Sequence, residues 1–497
     1  MNDEMLTPDI GDDDDGLEPL AWLDLLEQQV EVQRKHARHY DRYYANEAEL
    51  EIVKNEYEEV FGPAALDPPR TNLSAVGVNA AAERLVTAGF MVGEVGEHSS
   101  GEGARAEASA AADVIWRRND LDVMESVANV ETLVKARTFL LVWPDGQGRA
   151  TVTVEDPEQM AVIRRPSPPY DVVAAAKFWE DLFGRERAVL WLPDGMRKFE
   201  KAPRGGGQLY ALPTSDRQVR SKWRERERAF FPQPAVWAGR VPVAEMANRD
   251  RLLRDPQSDL VDVAPLADSH SKVLADLIIA CSFGAVPIRT ATGITLAKGP
   301  DGKPVPPFDI RADRAMVSEK DAAKFGTLPA ADLAGYVAAL EQLLAQVRIV
   351  TRVPAHYYGQ GTSSGLAGET IKAAEGSLVR RVDGLKRPFG WARRTMMSLA
   401  LDLERPDLAG MPVRERWAET ETRVESQIVD ATQKLAEILP TRILLRDWLK
   451  LEPAVVEEAM ELREAAQARA DEILQAVRYD LQPREPSATM PAEPTAA

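Results

Sequence analysis

Residues 359–403 read GQGTSSGLAGETIKAAEGSLVRRVDGLKRPFGWARRTMMSLALDL. A polar loop, Gly359, Gln360, Gly361, Thr362, Ser363, Ser364 and Gly365, leads into the longest periodic segment of the chain. Ile371, Ala374, Leu378, Val382, Leu385, Phe389, Ala392, Met396, Leu399 and Leu403 step by three or four residues, which places them on one face of a helix. Roughly 35 residues at ~1.5 Å each extend about 50 Å, more than one compact domain needs. Pro388 lies inside this run and predicts a kink, or two nearly collinear helices. Between 372 and 394 the seven bases Lys372, Arg380, Arg381, Lys386, Arg387, Arg393 and Arg394 outnumber the two acids Glu375 and Asp383, a local charge of +5. All seven lie off the apolar stripe. They suit a solvated face, ion pairs between subunits, or contact with a phosphate backbone.

On either side the pattern is mixed. Residues 1–19 are acidic with Gly and Pro and read as a flexible arm. Helical spacing runs from 20 to 61, and further helices are expected at 73–88 and 104–119. Short β-branched or aromatic runs at 138–143, 150–154, 172–178 and 188–192, with the turn pairs Asp145-Gly146 and Asp194-Gly195, predict an antiparallel sheet. Residues 204–228 read as an exposed loop and a solvated helix. Helices at 268–283 and 331–350 flank some forty residues with short strands at 294–296 and 308–317. Amphipathic helices follow at about 422–439, 442–449 and 454–477, then a Pro/Ala/Glu-rich tail expected to be disordered. The expected class is α+β, mostly helical.

The 497 residues carry 61 bases and 79 acids, a net charge of −18. Residues 1–60 hold 18 of those acids and 5 of the bases, so −13 sits at the front and only −5 is left for the remaining 437 residues. The single Cys281 excludes a disulfide framework and a Cys-based zinc site. The five histidines, at 36, 39, 98, 270 and 356, make a His-rich metal centre a poor reading. No secretory signal is expected from the acidic start. The apolar run 273–288 is interrupted by Asp276, Gly284 and Pro287 and falls short of the ~20 residues that span a bilayer. Neither glycine cluster, 205–207 nor 359–361, fits a phosphate-binding loop, and no zincin, nucleophile-elbow or EF-hand pattern is found. His356 has no Ser, Cys or carboxylate at a recognisable catalytic spacing. No catalytic residue, metal ligand or cofactor is assigned.

Other segments carry a resemblance. Tyr40-Asp41-Arg42-Tyr43-Tyr44, Glu83-Arg84-Leu85 with Gly89-Phe90, residues 115–122 (IWRRNDLD) and residues 139–143 (FLLVW) occur in that order. They are followed by Val241-Pro242-Val243 to Asn248-Arg249, Gly293-Ile294, Arg352-Val353-Pro354 with Tyr357-Tyr358, Ser363-Ser364-Gly365, Trp417-Ala418 and Arg423. This series resembles the Gp6-like portal proteins of tailed bacteriophages, the type common in phages of actinobacteria, over about residues 20–480. The acidic arm and the Ser363-Ser364 pair depart from the usual pattern.

The resemblance implies a portal fold: wing 20–266, stem helices 267–283 and 331–350, clip 284–330, tunnel loop 351–366, a long tunnel helix 367–404, and crown helices 405–480, with 481–497 as tail. It implies a dodecameric ring at one capsid vertex through which double-stranded DNA is packaged and later ejected. Tyr358, Gly359, Gln360, Gly361, Thr362, Ser363, Ser364 and Gly365 would form the loop facing DNA, and the seven bases would lie on the channel helix or between subunits. Implied partners are the large terminase, a head-completion or adaptor protein, and the major capsid and scaffolding proteins, with no membrane. The location would be the virion, and the host cytoplasm during assembly. Competing readings are a metal-dependent DNA-processing enzyme using scattered carboxylates and a helical cytosolic scaffold.

Overall fold

The computed structural model describes residues 17–63, 67–93, 102–165, 171–201, 222–237, 239–252, 254–285, 289–292, 297–298, 304–305, 324–327, 332–359, 368–420, 434–436, 438, 440–445 and 453–480. The chain forms two compact units, Met1–Thr420 and Glu421–Ala497.

In the first unit the order is α1 (Pro19–Tyr44), α2 (Glu51–Phe61), α3 (Leu73–Ala82), β1 (Thr87–Val92), α4 (Glu102–Arg118) and α5 (Leu121–Lys135). Then come β2 (Arg137–Pro144), β3 (Ala150–Glu155), β4 (Met160–Arg164), β5 (Val172–Glu180), β6 (Glu186–Leu192), β7 (Gly195–Lys201), β8 (Trp223–Pro232) and β9 (Val243–Ala247). α6 (Ala264–Ala285) and α7 (Leu333–Thr351) flank the short strands β10 (Arg289–Thr292), β11 (Ala297–Lys298), β12 (Pro304–Val305) and β13 (Lys324–Thr327). α8 (Gly368–Glu404) and β14 (Val413–Trp417) complete it. The described part of the second unit holds a helical turn, Thr441–Ile443, and α9 (Pro453–Asp480), tied by Arg442 to Glu457 at 2.6 Å.

Among the described residues every strand pair is antiparallel, in a five-stranded sheet β4-β5-β6-β7-β8, a three-stranded sheet β3-β2-β9, and three two-stranded pairs. Period-two alternation gives the five-stranded sheet two apolar faces. Ala174, Ala176, Phe178, Leu190 and Phe199 pack on Trp22, Leu23, Leu26 and Val30 of α1. Ala175, Val189, Trp191 and Met196 pack on Phe139, Leu141 and Val243 of the other sheet. The largest core gathers α3, α4, α5, β1 to β3 and β9 around α8.

α8 is one helix through Pro388, and the two-helix alternative is not what forms. The proline leaves the Gly384 carbonyl without its intrahelical N–H, and Gly384 is exposed, so water can serve that oxygen. Leu378 and Val382 before it, and Phe389, Ala392, Met396, Met397 and Leu399 after it, are all 1% exposed or less. At about 1.5–3 kcal/mol for each large buried side chain, that burial outweighs the ~3 kcal/mol cost of an interior proline.

The structure corrects several expectations. The helix expected over 20–61 breaks after Tyr44, where Asn46 turns left-handed (φ 61°) and the Arg42 carbonyl accepts from the Glu47 and Ala48 N–H groups. The helix expected at 73–88 stops at Ala82, because Thr87–Val92 pairs with Val413–Trp417 as a strand. The alternating charges at 224–228 belong to β8, not to a solvated helix: Arg224 and Glu225 pair with Glu200 and Phe199 of β7 on a charged sheet edge. The strands expected at 294–296 and 308–317, most of the helices expected at 422–439 and 442–449, the tail and most of the arm lie outside the described residues. Among the described residues one helix, Leu333–Thr351, is long and apolar enough to cross a membrane by length and composition.

Candidate functional site

The segment entering the polar loop is held by side chains from three elements. α7 ends at Arg352, which is left-handed (φ 57°), and Pro354 starts a 3-10 turn, Ala355–Tyr358, that ends on Gly359 at φ 71°. A left-handed residue suits glycine there. The Tyr357 hydroxyl accepts from Arg84 Nη2 at 2.7 Å and donates to Glu375 of α8 at 3.4 Å. Arg84 Nη2 also reaches Glu375 at 3.3 Å, and His356 Nε2 lies 3.7 Å from the same carboxylate. The Tyr358 hydroxyl sits 3.1 Å from Thr351 Oγ1, and burial raises its pKa, so the phenol stays neutral. On the far side, Ser377 of α8 donates to the Arg352 carbonyl at 3.1 Å. The residues before the loop are thus tied to α7 and to α8, the helix that follows it.

Directly beneath, Arg381 ties these elements together. It donates to the Thr351 carbonyl at 2.7 Å, to the Gly77 carbonyl at 3.1 Å, and to Asp259. Asp259 is 6% exposed and also meets Arg249 Nε at 3.2 Å and Asn248 Nδ2 at 3.2 Å. Burial raises its pKa, but the Arg381 and Arg249 charges win and leave it lowered. A carboxylate lowered in the folded state stabilises the fold above its unfolded pKa, and that contribution is lost as pH falls through the folded value. Melting temperature should therefore drop with pH below about 4, and Asp259→Asn should give a flatter acid limb as well as a lower plateau at neutral pH. An acid limb as steep in the variant as in the parent would show that Asp259 is not the linked group.

Further along α8, Arg393 is 2% exposed. Its guanidinium lies 2.5 Å from Glu125, donates to Thr87 Oγ1 at 2.7 Å and to Asn129 Oδ1 at 2.5 Å, and is covered by the Trp417 ring at 4.5 Å. Burial pulls its pKa down to about 10, against the opposing pull of Glu125 and Glu415, so it is charged at neutral pH. Arg394 holds Glu415 through two 3.0 Å bonds. Lys386 meets Asp383 at 3.2 Å and also bonds Thr420.

The seven bases of the sequence reading therefore separate. Arg381, Lys386, Arg393 and Arg394 are paired within their own chain, and Arg393 lies in the interior rather than on a cationic face. Arg380 and Arg387 are exposed, and the Lys372 side chain lies outside the described residues. Of the loop, Tyr358 and Gly359 are described; Gln360, Gly361, Thr362, Ser363, Ser364 and Gly365 are not. Sequence reasoning missed Arg84, Glu125, Arg249, Asp259 and Glu415, whose partners are far away in the chain. Among the described residues no group of three or more His, Cys, Asp or Glu could hold a metal ion.

The family model for phage portal protein, SPP1 Gp6-like, matches residues 23–472. The portal protein of Mycobacterium phage D29 is 24% identical over 451 residues, covering 84% of this chain and 82% of the relative. That of Mycobacterium phage L5 is 24% identical over 383 residues, covering 72% and 70%. A chain from the virion of a native gene transfer agent particle superimposes with a TM-score of 0.42 at 14% identity, covering 81% of this chain and 94% of that one. The chain belongs to the SPP1 Gp6-like family of phage portal proteins and is a structural protein of the virion.

Proposed function

We propose that copies of this chain close into a dodecameric ring at one capsid vertex, and that double-stranded DNA enters through the ring during packaging and leaves through it on ejection. The observation that carries the reading is the anchored approach to the loop: Tyr357 reaches Arg84 and Glu375, Tyr358 reaches Thr351, and Ser377 reaches the Arg352 carbonyl, so the segment that enters the Gly/Ser/Thr run is tied to α7 and α8. Residues 358–365 would face the duplex. Each phosphate neutralised by a fixed cation adds affinity and acts as a brake, so Gln360, Thr362, Ser363 and Ser364 suit a passage that must not hold its cargo. Keeping Arg381 and Arg393 in pairs of their own chain serves the same end.

In this reading residues 20–266 are the wing, α6 and α7 the stem, residues 284–330 the clip that meets the large terminase and later the adaptor protein, and 405–480 the crown. The wing would face the capsid and scaffolding proteins, and assembly would take place in the host cytoplasm. Val337 and Ile349 of α7 are 47% and 68% exposed in the protomer; neighbouring stems would cover them. The proposal for intersubunit ion pairs narrows to Arg380, Arg387 and Lys372. Replacing all three by Ala should weaken ring assembly at low salt and flatten its salt dependence. Normal assembly with slowed packaging would instead place these cations on DNA.

Sedimentation of the purified chain tests the ring. One closed species many times the 54.8 kDa protomer is expected, with duplex DNA left intact in the presence of Mg²⁺. A stable monomer, or chelator-sensitive cutting of DNA, would overturn the reading.

A further inference from the structure

Charge along the start of the chain is sorted by sign. Residues 1–33 hold eleven acids and no Lys, Arg or His, and Asp12, Asp13, Asp14 and Asp15 are consecutive. Residues 34–42 (RKHARHYDR) then hold four bases, two histidines and one acid. Neither the polar loop nor the long helix gives this pattern a role.

α1 turns its basic end outward. The buried face runs Trp22, Leu23, Leu26, Val30, Gln33 and Ala37, so the helical period leaves Lys35, His36, Arg38, His39 and Arg42 exposed. Arg38 is paired with Glu158 at 2.7 Å. Among the described residues Lys35 and Arg42 meet no carboxylate. His39 lies between them in the helix, edge-on to Tyr40 at 4.9 Å and Tyr43 at 5.3 Å. Asp41 is half-buried, and Glu31, one turn before Lys35, is the only exposed acid of α1. The exposed stripe from Lys35 to Arg42 is therefore cationic over its whole length.

Spacing fits as well as sign. Lys35 and Arg42 are seven residues apart, about 10.5 Å along the helix, and an extended run from Asp12 to Asp15 spans about 10 Å. Reach then selects the copy. α1 starts at Pro19, which puts Lys35 about 24 Å and Arg42 about 35 Å along the helix. Fully extended, Asp12 lies at most about 25 Å from Pro19 and Asp15 about 14 Å. Within one chain the run could touch Lys35 with Asp12 alone, and Arg42 not at all. A neighbouring copy is under no such limit, and a segment of one protomer on a different part of the next is a head-to-tail contact, the kind that closes rings. Resting on the ring reading above, we infer that Asp12–Asp15 of one copy lie along the Lys35–Arg42 face of α1 in the next copy.

Sedimentation over a protomer dilution series tests the contact. In low salt, replacing Asp12, Asp13, Asp14 and Asp15 by Asn should raise the concentration for half-assembly about fivefold, the weight of two exposed ion pairs. Variant and parent should converge at about 1 M salt, where the screening length is ~3 Å. Lys35→Glu with Arg42→Glu should weaken assembly likewise, and adding Asp12→Lys with Asp15→Lys to that pair should restore at least half of the loss, which a folding defect would not allow. In a Cys281→Ser background, Asp14→Cys chains mixed with His39→Cys chains should give an oxidised cross-link that neither gives alone. A chain carrying both cysteines should form a ladder of linked oligomers rather than close on itself. Assembly of the Asn variant at the parent concentration, no rescue by the charge swap, or a link confined to one chain overturns the contact. So does an Asn variant that assembles normally but fails to join the capsid, because the acidic run then serves a different protein. A parent chain that stays monomeric contradicts the ring reading and this contact with it, whereas a parent ring matched by the variant contradicts the contact alone.

Discussion

Arg393→Ala will lower the stability of the first unit by about 3–5 kcal/mol, the cost of leaving one partner of a buried ion pair behind. The stranded group is Glu125, whose Oε1 would keep the Thr87 N–H at 2.9 Å and the Thr87 hydroxyl at 2.6 Å but lose its counter-charge. Trp417 would lose the cation beneath its ring. The double variant Arg393→Met with Glu125→Gln should recover at least half of the loss, because neither charge then has to be desolvated. Thermal unfolding of the three proteins measures this directly. A single-variant loss under about 1 kcal/mol, the range of exposed pairs, would mean that the pair is not buried as described.

Trp237→Ala should cost a similar amount by a different route, about 3–5 kcal/mol for emptying a fully buried aromatic site. Trp237 is 0% exposed, packs near Trp143 at 6.1 Å between centroids, and donates from Nε1 to the Leu399 carbonyl of α8 at 2.9 Å. Trp237→Phe keeps most of the volume and removes only that bond. The Leu399 carbonyl still has its helical N–H, so Phe should cost no more than about 1–2 kcal/mol. If Phe and Ala were equally destabilising, the hydrogen bond to α8 would outweigh the packing, contrary to the expected order.

These two positions show what the sequence could and could not reveal. The ten-residue apolar stripe marked α8 because burial against a core leaves a local period that is read without knowing the partner. Arg393 sits between Ala392 and Met396 on that buried side, yet its charge argued for solvent. Glu125, 268 residues earlier and itself one of 79 acids, supplies the counter-charge that makes the interior position tolerable. No spacing rule connects them. β14 was missed for the same reason: Val413–Trp417 puts three charged residues, Arg414, Glu415 and Arg416, between its two apolar ends, and becomes a strand only because Thr87–Val92 lies beside it. β8 looked like a solvated helix because a charged edge strand lacks the apolar alternation that marks a half-buried one. In contrast, the hairpins at Asp145-Gly146 and Asp194-Gly195 were legible because turn chemistry is local.

The same contrast holds at the candidate site. Gly359 and the two tyrosines were readable as the approach to a loop, and the family resemblance gave that loop a role. Glu375 and Asp259, which hold the approach in place, carry no signal of their own, and Arg84 was read only as part of a motif, without its role here. The +5 of residues 372–394 suggested a cationic face; pairing with Asp259, Glu125 and Glu415 spends most of that charge inside the fold.

An electron cryomicroscopy reconstruction of the purified, assembled protein is the most direct measurement. The expected result is a closed ring whose narrowest passage is lined by residues 358–365, with Arg381 and Arg393 still bonded to Asp259 and Glu125 of their own chain. A ring with that loop on its outer surface, or with those two arginines turned into the channel, would contradict it.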